Sequence, residues 1–394
     1  MLNAAEASKS PQSPQPCHPL DRLYFNADVT LVKQCLNEFQ KACKFTLAAQ
    51  DKEDAVIAAI AASDAPVSTD LYQAYSSNLR MAIDAVFADG RNADLADLFQ
   101  ANVSRFAAYK SWHATAQVRD ALAENGGDAD SARRVLHRFN RWQAAEYNTA
   151  VSRSRTAKQW ARWDNDDDRR LFPNIIWLPS MSATPRELHM RFWNCVWAKG
   201  DPFWNTNQPG NLWNCKCDWE QTDEPVTKGN PEATIKHDGL EGNPAKTGEI
   251  FTDNCSYVKK ANDHSDVHSF YRDIMMEVAK TTDKRVSASI NGQQRDVTVN
   301  KIGIRESSRH DFGSPDYWLR NELLERIGDY LPKAHYLGTE TIDLSHNTGK
   351  ALKLKEKMRC AHKSRLDIGN KSFLITIFEY RETGELLLYI MSPL

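Results

Sequence analysis

His189, Cys195, Cys215 and Cys217 are the residue types that bind Zn²⁺ through nitrogen and sulfur. Their spacing is unusual for that task. Cys215-Lys216-Cys217 is a tighter bite than the common Cys-x₂-Cys, and no second cysteine pair follows it. Two readings stay open: a zinc site, or a compact aromatic core in which His189 and Cys215 are packed or hydrogen-bonded. The spacing favours the core, so no metal and no other cofactor is expected, with zinc as the alternative. Trp193, Trp197, Trp204, Trp213 and Trp219 suit either case, because each buries a large area where regular structure is sparse. No nucleophile–base–orienter set is apparent in this segment, which therefore reads as structural. His264 and His268 stand four residues apart on one helix face but have no third ligand in view.

A second chemical signal is charge. Between residues 350 and 371, eight Lys and Arg oppose only Glu356 and Asp367. Cations alternate in Lys353-Leu354-Lys355-Glu356-Lys357-Met358-Arg359, and Lys363 and Arg365 follow. On a strand, that alternation projects several cations from one face, which suits a phosphate backbone. The same pattern also describes a solvated edge whose lysines block aggregation.

Several elements must position these residues. Leu31, Cys35, Phe39 and Cys43 share a helical stripe in a helix predicted over 30–62. From Ser68 to Trp163 apolar residues recur at helical spacing, broken at Asp89-Gly90 and Gly126-Gly127. Asn92 is a possible cap for the second of these helices, and Asp130 or Ser131 for the third. Ile175-Ile176-Trp177-Leu178 is a short strand candidate, and residues 223–254, rich in Pro, Gly, Lys and Thr, read as a linker. Helices are predicted from Val267 to Val278 and from Tyr317 to Tyr330. Asn291-Gly292 marks a hairpin, and strands are predicted over 358–368, 372–380 and 385–391. The expected fold class is α+β multidomain: a mostly helical N-terminal module with a small Trp/Cys-rich cap, then an α+β domain with an antiparallel sheet.

Composition bounds the rest. The chain has 394 residues, 41% hydrophobic and 26% charged, with a net charge of −2. That is enough apolar material for real cores, and too little net charge for a nucleic-acid coat. The longest small-apolar run, Ala55 to Ala62, falls far short of the roughly twenty residues a bilayer requires. No basic start leads into an apolar stretch, so no secretory signal is expected. Eight cysteines do not suggest a disulfide framework. Residues 1–20, with Pro11, Pro14 and Pro16, are expected to be a disordered leader.

Five strings occur in order: Leu98-Phe99-Gln100-Ala101-Asn102-Val103-Ser104-Arg105-Phe106-Ala107-Ala108-Tyr109-Lys110, Glu146-Tyr147-Asn148-Thr149-Ala150, Arg186-Glu187-Leu188-His189, Phe203-Trp204, and Pro209-Gly210-Asn211-Leu212-Trp213-Asn214-Cys215-Lys216-Cys217. Together they resemble the phage Mu F-like head morphogenesis family over a core of about 70–222, within a module spanning 21–222. The resemblance implies a minor head protein that works through portal and capsid proteins, in the virion interior or in the bacterial cytoplasm during assembly. One element departs from the family: Ser182-Ala183-Thr184-Pro185 stands where an Asp often precedes the "RxxH" element.

Residues 255–394 resemble the phage barnase–EndoU–colicin–RelE-like nuclease group. The resemblance rests on helix–strand order, on Leu331-Pro332-Lys333-Ala334-His335-Tyr336 and on the closing strands. It implies a metal-independent endoribonuclease with RNA as substrate. A base would take the ribose 2′-OH proton, a cation would stabilise the phosphoryl oxygens, and an acid would protonate the leaving 5′-oxygen. His310 and His335, with His362 behind them, are the implied acid–base candidates. Arg365 or Lys363 would hold phosphate, Tyr380 and Ser392 would donate hydrogen bonds, and Lys353, Lys355 and Lys363 would bind substrate. The competing expectation is an inactive C-terminal fold that binds capsid or nucleic acid.

Overall fold

The computed structural model describes residues 50–227, 237–261, 264–309, 314–345 and 348–394. The expected leader, the expected helix before residue 50, and His310 lie outside the described residues. Helices of eight or more residues are labelled here in chain order. The first four are α1 (Gln50–Ala61), α2 (Thr69–Phe87), α3 (Ala93–Glu124) and α4 (Ala129–Trp163). Leu71, Tyr75, Leu79 and Ile83 of α2 meet Phe99, Val103 and Phe106 of α3 in a buried core. Ala107, Ala108, Ala114, Ala150 and Ala157 are fully buried, and such small residues permit close approach of long helices. Gly126 and Gly127, at φ of 62° and 88°, make the turn between α3 and α4. Asp128 then caps α4 by accepting from the N–H groups of Asp130 and Ser131, so the cap lies just before the expected positions. Asn92 precedes α3 in a left-handed conformation and makes no side-chain cap.

Three short strands follow: β1 (Asn174–Leu178), β2 (Val196–Ala198) and β3 (Asp218–Thr222), in the order β2-β1-β3. Only β1 was legible in the sequence. This sheet and the C-terminal end of α4 share one aromatic cluster, containing Trp160, Trp163, Trp177, Trp197, Trp204 and Trp219.

The composition of 223–254 predicts a linker, but the described residues from 237 to 254 are packed into the fold. Leu240, Ile250 and Phe251 are buried. The wholly buried Arg153 of α4 donates to the carbonyl of Leu240 (2.7 Å) and the side chain of Asn211 (2.6 Å), and also reaches the carbonyls of Glu241 and Glu249. Asn102 of α3 accepts from the N–H groups of Ile250 and Phe251 and donates to the Phe251 carbonyl. Outside the short helix Pro244–Thr247, buried side chains serve as partners for this backbone.

The C-terminal part contains α5 (Ser265–Thr281), α6 (Lys301–Ser308) and α7 (Pro315–Glu325), with β4 (Asp283–Ile290), β5 (Gln293–Asn300), β6 (His335–Glu340), β7 (Met358–Ile368), β8 (Lys371–Tyr380) and β9 (Leu386–Pro393). The six strands run in the order β4-β5-β9-β8-β7-β6, antiparallel except for the β5–β9 pair. The fold class is thus α+β. The predicted Asn291-Gly292 hairpin forms with both residues at positive φ. Helix α6 lies so close to β9 that a Cβ at Gly303 would sit 2.3 Å from the Leu388 carbonyl oxygen. Residues 349–355, whose alternating cations suggest a strand, form a short helix instead.

Ion pairs fasten the two ends of the chain together. Arg80 of α2 makes two bonds to Glu322 of α7 (2.6 and 2.8 Å), and Arg326 reaches Asp97 of α3 (3.0 Å). Gln50–Leu394 accordingly forms one compact unit. No helix among the described residues is long and apolar enough to cross a membrane.

Candidate functional site

Strand register builds the C-terminal site. His335 at the start of β6 stands opposite Arg365 of β7, Arg365 opposite Leu374 of β8, and Leu374 opposite Ser392 of β9. Directly paired residues of neighbouring antiparallel strands share a face, about 5 Å apart. His335, Arg365, Leu374 and Ser392 therefore occupy a single cross-strand row, with Ser392 about 10 Å from Arg365 across Leu374, and His335 and Arg365 are exposed. The next row along β7 carries Lys363, which donates to Thr376 (3.0 Å) and approaches Glu340 (3.6 Å).

Arg365 is held at the base of this row. Its Nε donates to Asp367 (2.7 Å) and an Nη donates to Ser372 (2.9 Å). Asp367 is held below the usual carboxylate range by the Ser372 hydroxyl and the Arg365 guanidinium, and the nearby His335 adds to this. Guanidinium has five donors, so those not used by Asp367 and Ser372 remain for a ligand.

Other expected residues are placed elsewhere. Tyr380 pairs with Met358 at the far end of β8, about 20 Å along the strand from Leu374. There it packs on a small core of Met358, Ala361, Phe378 and Leu387, as a sheet aromatic outside the row. Lys353 and Lys355 lie on the helix Gly349–Lys355 and not on a strand. Leu354 of that helix packs on the same small core, and the Lys355 ammonium lies 5.8 Å from the Tyr389 ring. Both lysines thus border the sheet from above and do not project from it.

His362 points to the opposite face and is buried. Its Nε2 lies 2.8 Å from Glu379 Oε2, and its Nδ1 lies 2.9 Å from Thr339 Oγ1, which in turn meets the Tyr336 hydroxyl. Arg359 donates to the other Glu379 oxygen (2.6 Å) and Arg295 stands 3.5 Å away. Burial pushes the Glu379 carboxyl up, but the bonds from His362 and Arg359 and the charge of Arg295 outweigh it and hold it low. Cys360 Sγ approaches both His362 Nε2 (3.7 Å) and Glu379 (3.6 Å). The thiol and the carboxylate share one ring nitrogen, so this is no nucleophile–base–orienter chain. The network was not anticipated. Its signal is an acid in the otherwise apolar Phe373-Leu374-Ile375-Thr376-Ile377-Phe378-Glu379 strand.

In the tryptophan-rich part, His189 Nδ1 lies 3.2 Å from Cys215 Sγ, and Cys217 joins them; all three are buried. The Cys217 N–H also points at Cys215 Sγ (3.4 Å). The bond from Cys215 holds the Cys217 thiol well below its ordinary value, aided by His189 and Trp193, while the Cys215 thiol is pushed up. Cys195, expected beside them, is half-buried and turns to the carbonyls of Arg191 and Trp193.

The five strings contact one another directly or, for Phe203-Trp204, through Trp177. Lys110 pairs with Glu146 (2.5 Å) between α3 and α4. Arg186 donates to the Trp213 carbonyl (2.8 Å), and Thr149 accepts from the Asn214 N–H (2.9 Å). Trp177 stacks on Trp204 and meets His189 edge-on. Compared with known proteins, the chain finds no match: no family model, curated protein or solved structure is similar to it.

Proposed function

We propose that this chain is a phage head-assembly component whose C-terminal sheet cleaves RNA without a metal. The observation that carries the nuclease reading is the row His335–Arg365–Ser392. In this reading the His335 imidazole takes the 2′-OH proton and the 2′-oxygen attacks the adjacent phosphorus. The free Arg365 donors neutralise the phosphoryl oxygens as charge develops, with a hydrogen bond from Ser392. The bond to the 5′-oxygen breaks, a proton from a general acid or water completes the leaving alcohol, and a 2′,3′-cyclic phosphate remains. Lys363, Lys353 and Lys355 would guide the strand by charge.

The head-assembly reading is supported by the mutual contacts of the five strings that carry the resemblance. It places portal and capsid proteins as partners and the virion interior as location. The competing reading, an inactive nucleic-acid-binding face, draws support from the engagement of Arg365 by Asp367 and Ser372. Full-length protein incubated with single-stranded RNA in buffer without added divalent metal separates the two. Cleavage that Arg365→Ala abolishes supports the enzyme, whereas RNA that is bound but left intact supports the inactive face.

A further inference from the structure

We propose that His189, Cys215 and Cys217 form a zinc site that ties together two stretches of the tryptophan-rich segment. Their ligand atoms all lie within 4.8 Å of one another and supply three of the four positions of a tetrahedral site. Zinc bonds of about 2.0 Å to nitrogen and 2.3 Å to sulfur place two tetrahedral ligand atoms about 3.5 Å apart. The His189 Nδ1 to Cys215 Sγ separation of 3.2 Å is close to that edge.

Three features of the surroundings point the same way. First, the donors are dry. His189, Cys215 and Cys217 are 1%, 4% and 2% exposed, within a wall that includes Trp177, Phe192 and Trp204. Three polar ligand atoms gathered in an apolar wall are costly without a common partner. Second, the Cys217 N–H aimed at Cys215 Sγ is the kind of outer contact that stabilises a thiolate ligand. Third, the ligands come from two separate stretches, the turn after Arg186 and the Cys-x-Cys loop, which share little regular structure. A metal joining such stretches contributes folding free energy directly. Asn214, in a left-handed conformation immediately before Cys215, shapes the turn that presents the Cys-x-Cys loop.

The test uses full-length protein purified without chelator. Elemental analysis is expected to give one zinc per chain, lost in Cys217→Ser and retained in Cys195→Ser, whose thiol lies outside the cluster. Cobalt exchange into the wild-type protein is expected to give a thiolate-to-metal charge-transfer band, a readout that holds even where Cys217→Ser fails to fold. Wild-type protein that carries no zinc and gives no such band would overturn the site. So would zinc retained in folded Cys217→Ser.

Discussion

The ammonium of Lys110 and the carboxylate of Glu146 meet 2.5 Å apart in the buried seam between α3 and α4. The Tyr75 ring lies 4.3 Å from the ammonium, and the Tyr257 hydroxyl reaches the second Glu146 oxygen (3.4 Å). Burial pushes the Lys110 amine down, and Glu146 pulls it back up. Removing one partner strands the other charge in a dry interior. Lys110→Met and Glu146→Gln should each destabilise the protein by about 3–5 kcal/mol. A double-mutant cycle followed by denaturant unfolding should show strong coupling, because the second substitution removes the charge that the first leaves unpaired.

The packed segment 237–254 depends on two contacts with α4 and with the following turn. Gly239 has φ of 87°, and a Cβ there would lie 2.3 Å from the Cys255 Cα. Gly239→Ala should therefore cost several kcal/mol, roughly 3 or more. Arg153→Met removes the side chain that binds the Leu240 carbonyl. It should open residues 237–254 to limited proteolysis while the far-ultraviolet helical signal from α3 and α4 persists.

Glu325 provides a pH test at the junction of α2 and α7. Burial pushes its carboxyl up to about 7, and Glu322 adds to the rise against the opposing charge of Arg80. The folded state thus holds a proton that the unfolded chain releases near pH 4.5. Its contribution is complete below pH 4.5, falls as pH rises, and is gone above about 7. Unfolding free energy measured across that window should decline by roughly 3 kcal/mol in the wild type. In Glu325→Gln the decline should be absent, and the variant should exceed the wild type at pH 8.

Much of the fold was legible because its signals are local. The α2–α4 periodicities, the Asn291-Gly292 turn and the strands from Met358 to Met391 all follow from repeating apolar positions. The site was partly legible: His335, Arg365 and Ser392 were named from the sequence, but the register that aligns them is set by long-range pairing. Strand β6 went unseen because it is short and largely exposed, without an apolar alternation. Lys353 to Lys357 misled because alternating cations fit either a strand or one turn of an exposed helix. The segment 237–254 was misread because its partners are single buried polar side chains, Arg153 and Asn102, which leave no periodic trace.

The most direct measurement is end-group analysis of RNA treated with full-length protein in buffer without added divalent metal. Fragments ending in 2′,3′-cyclic phosphate are expected, with rates reduced about 10²–10⁴-fold in His335→Ala and about 10²–10³-fold in Arg365→Ala. Arg365→Lys should recover part of the loss, since the charge stays and the forked geometry does not. Wild-type protein that leaves RNA intact, or cleavage unchanged in both alanine variants, would contradict the nuclease reading.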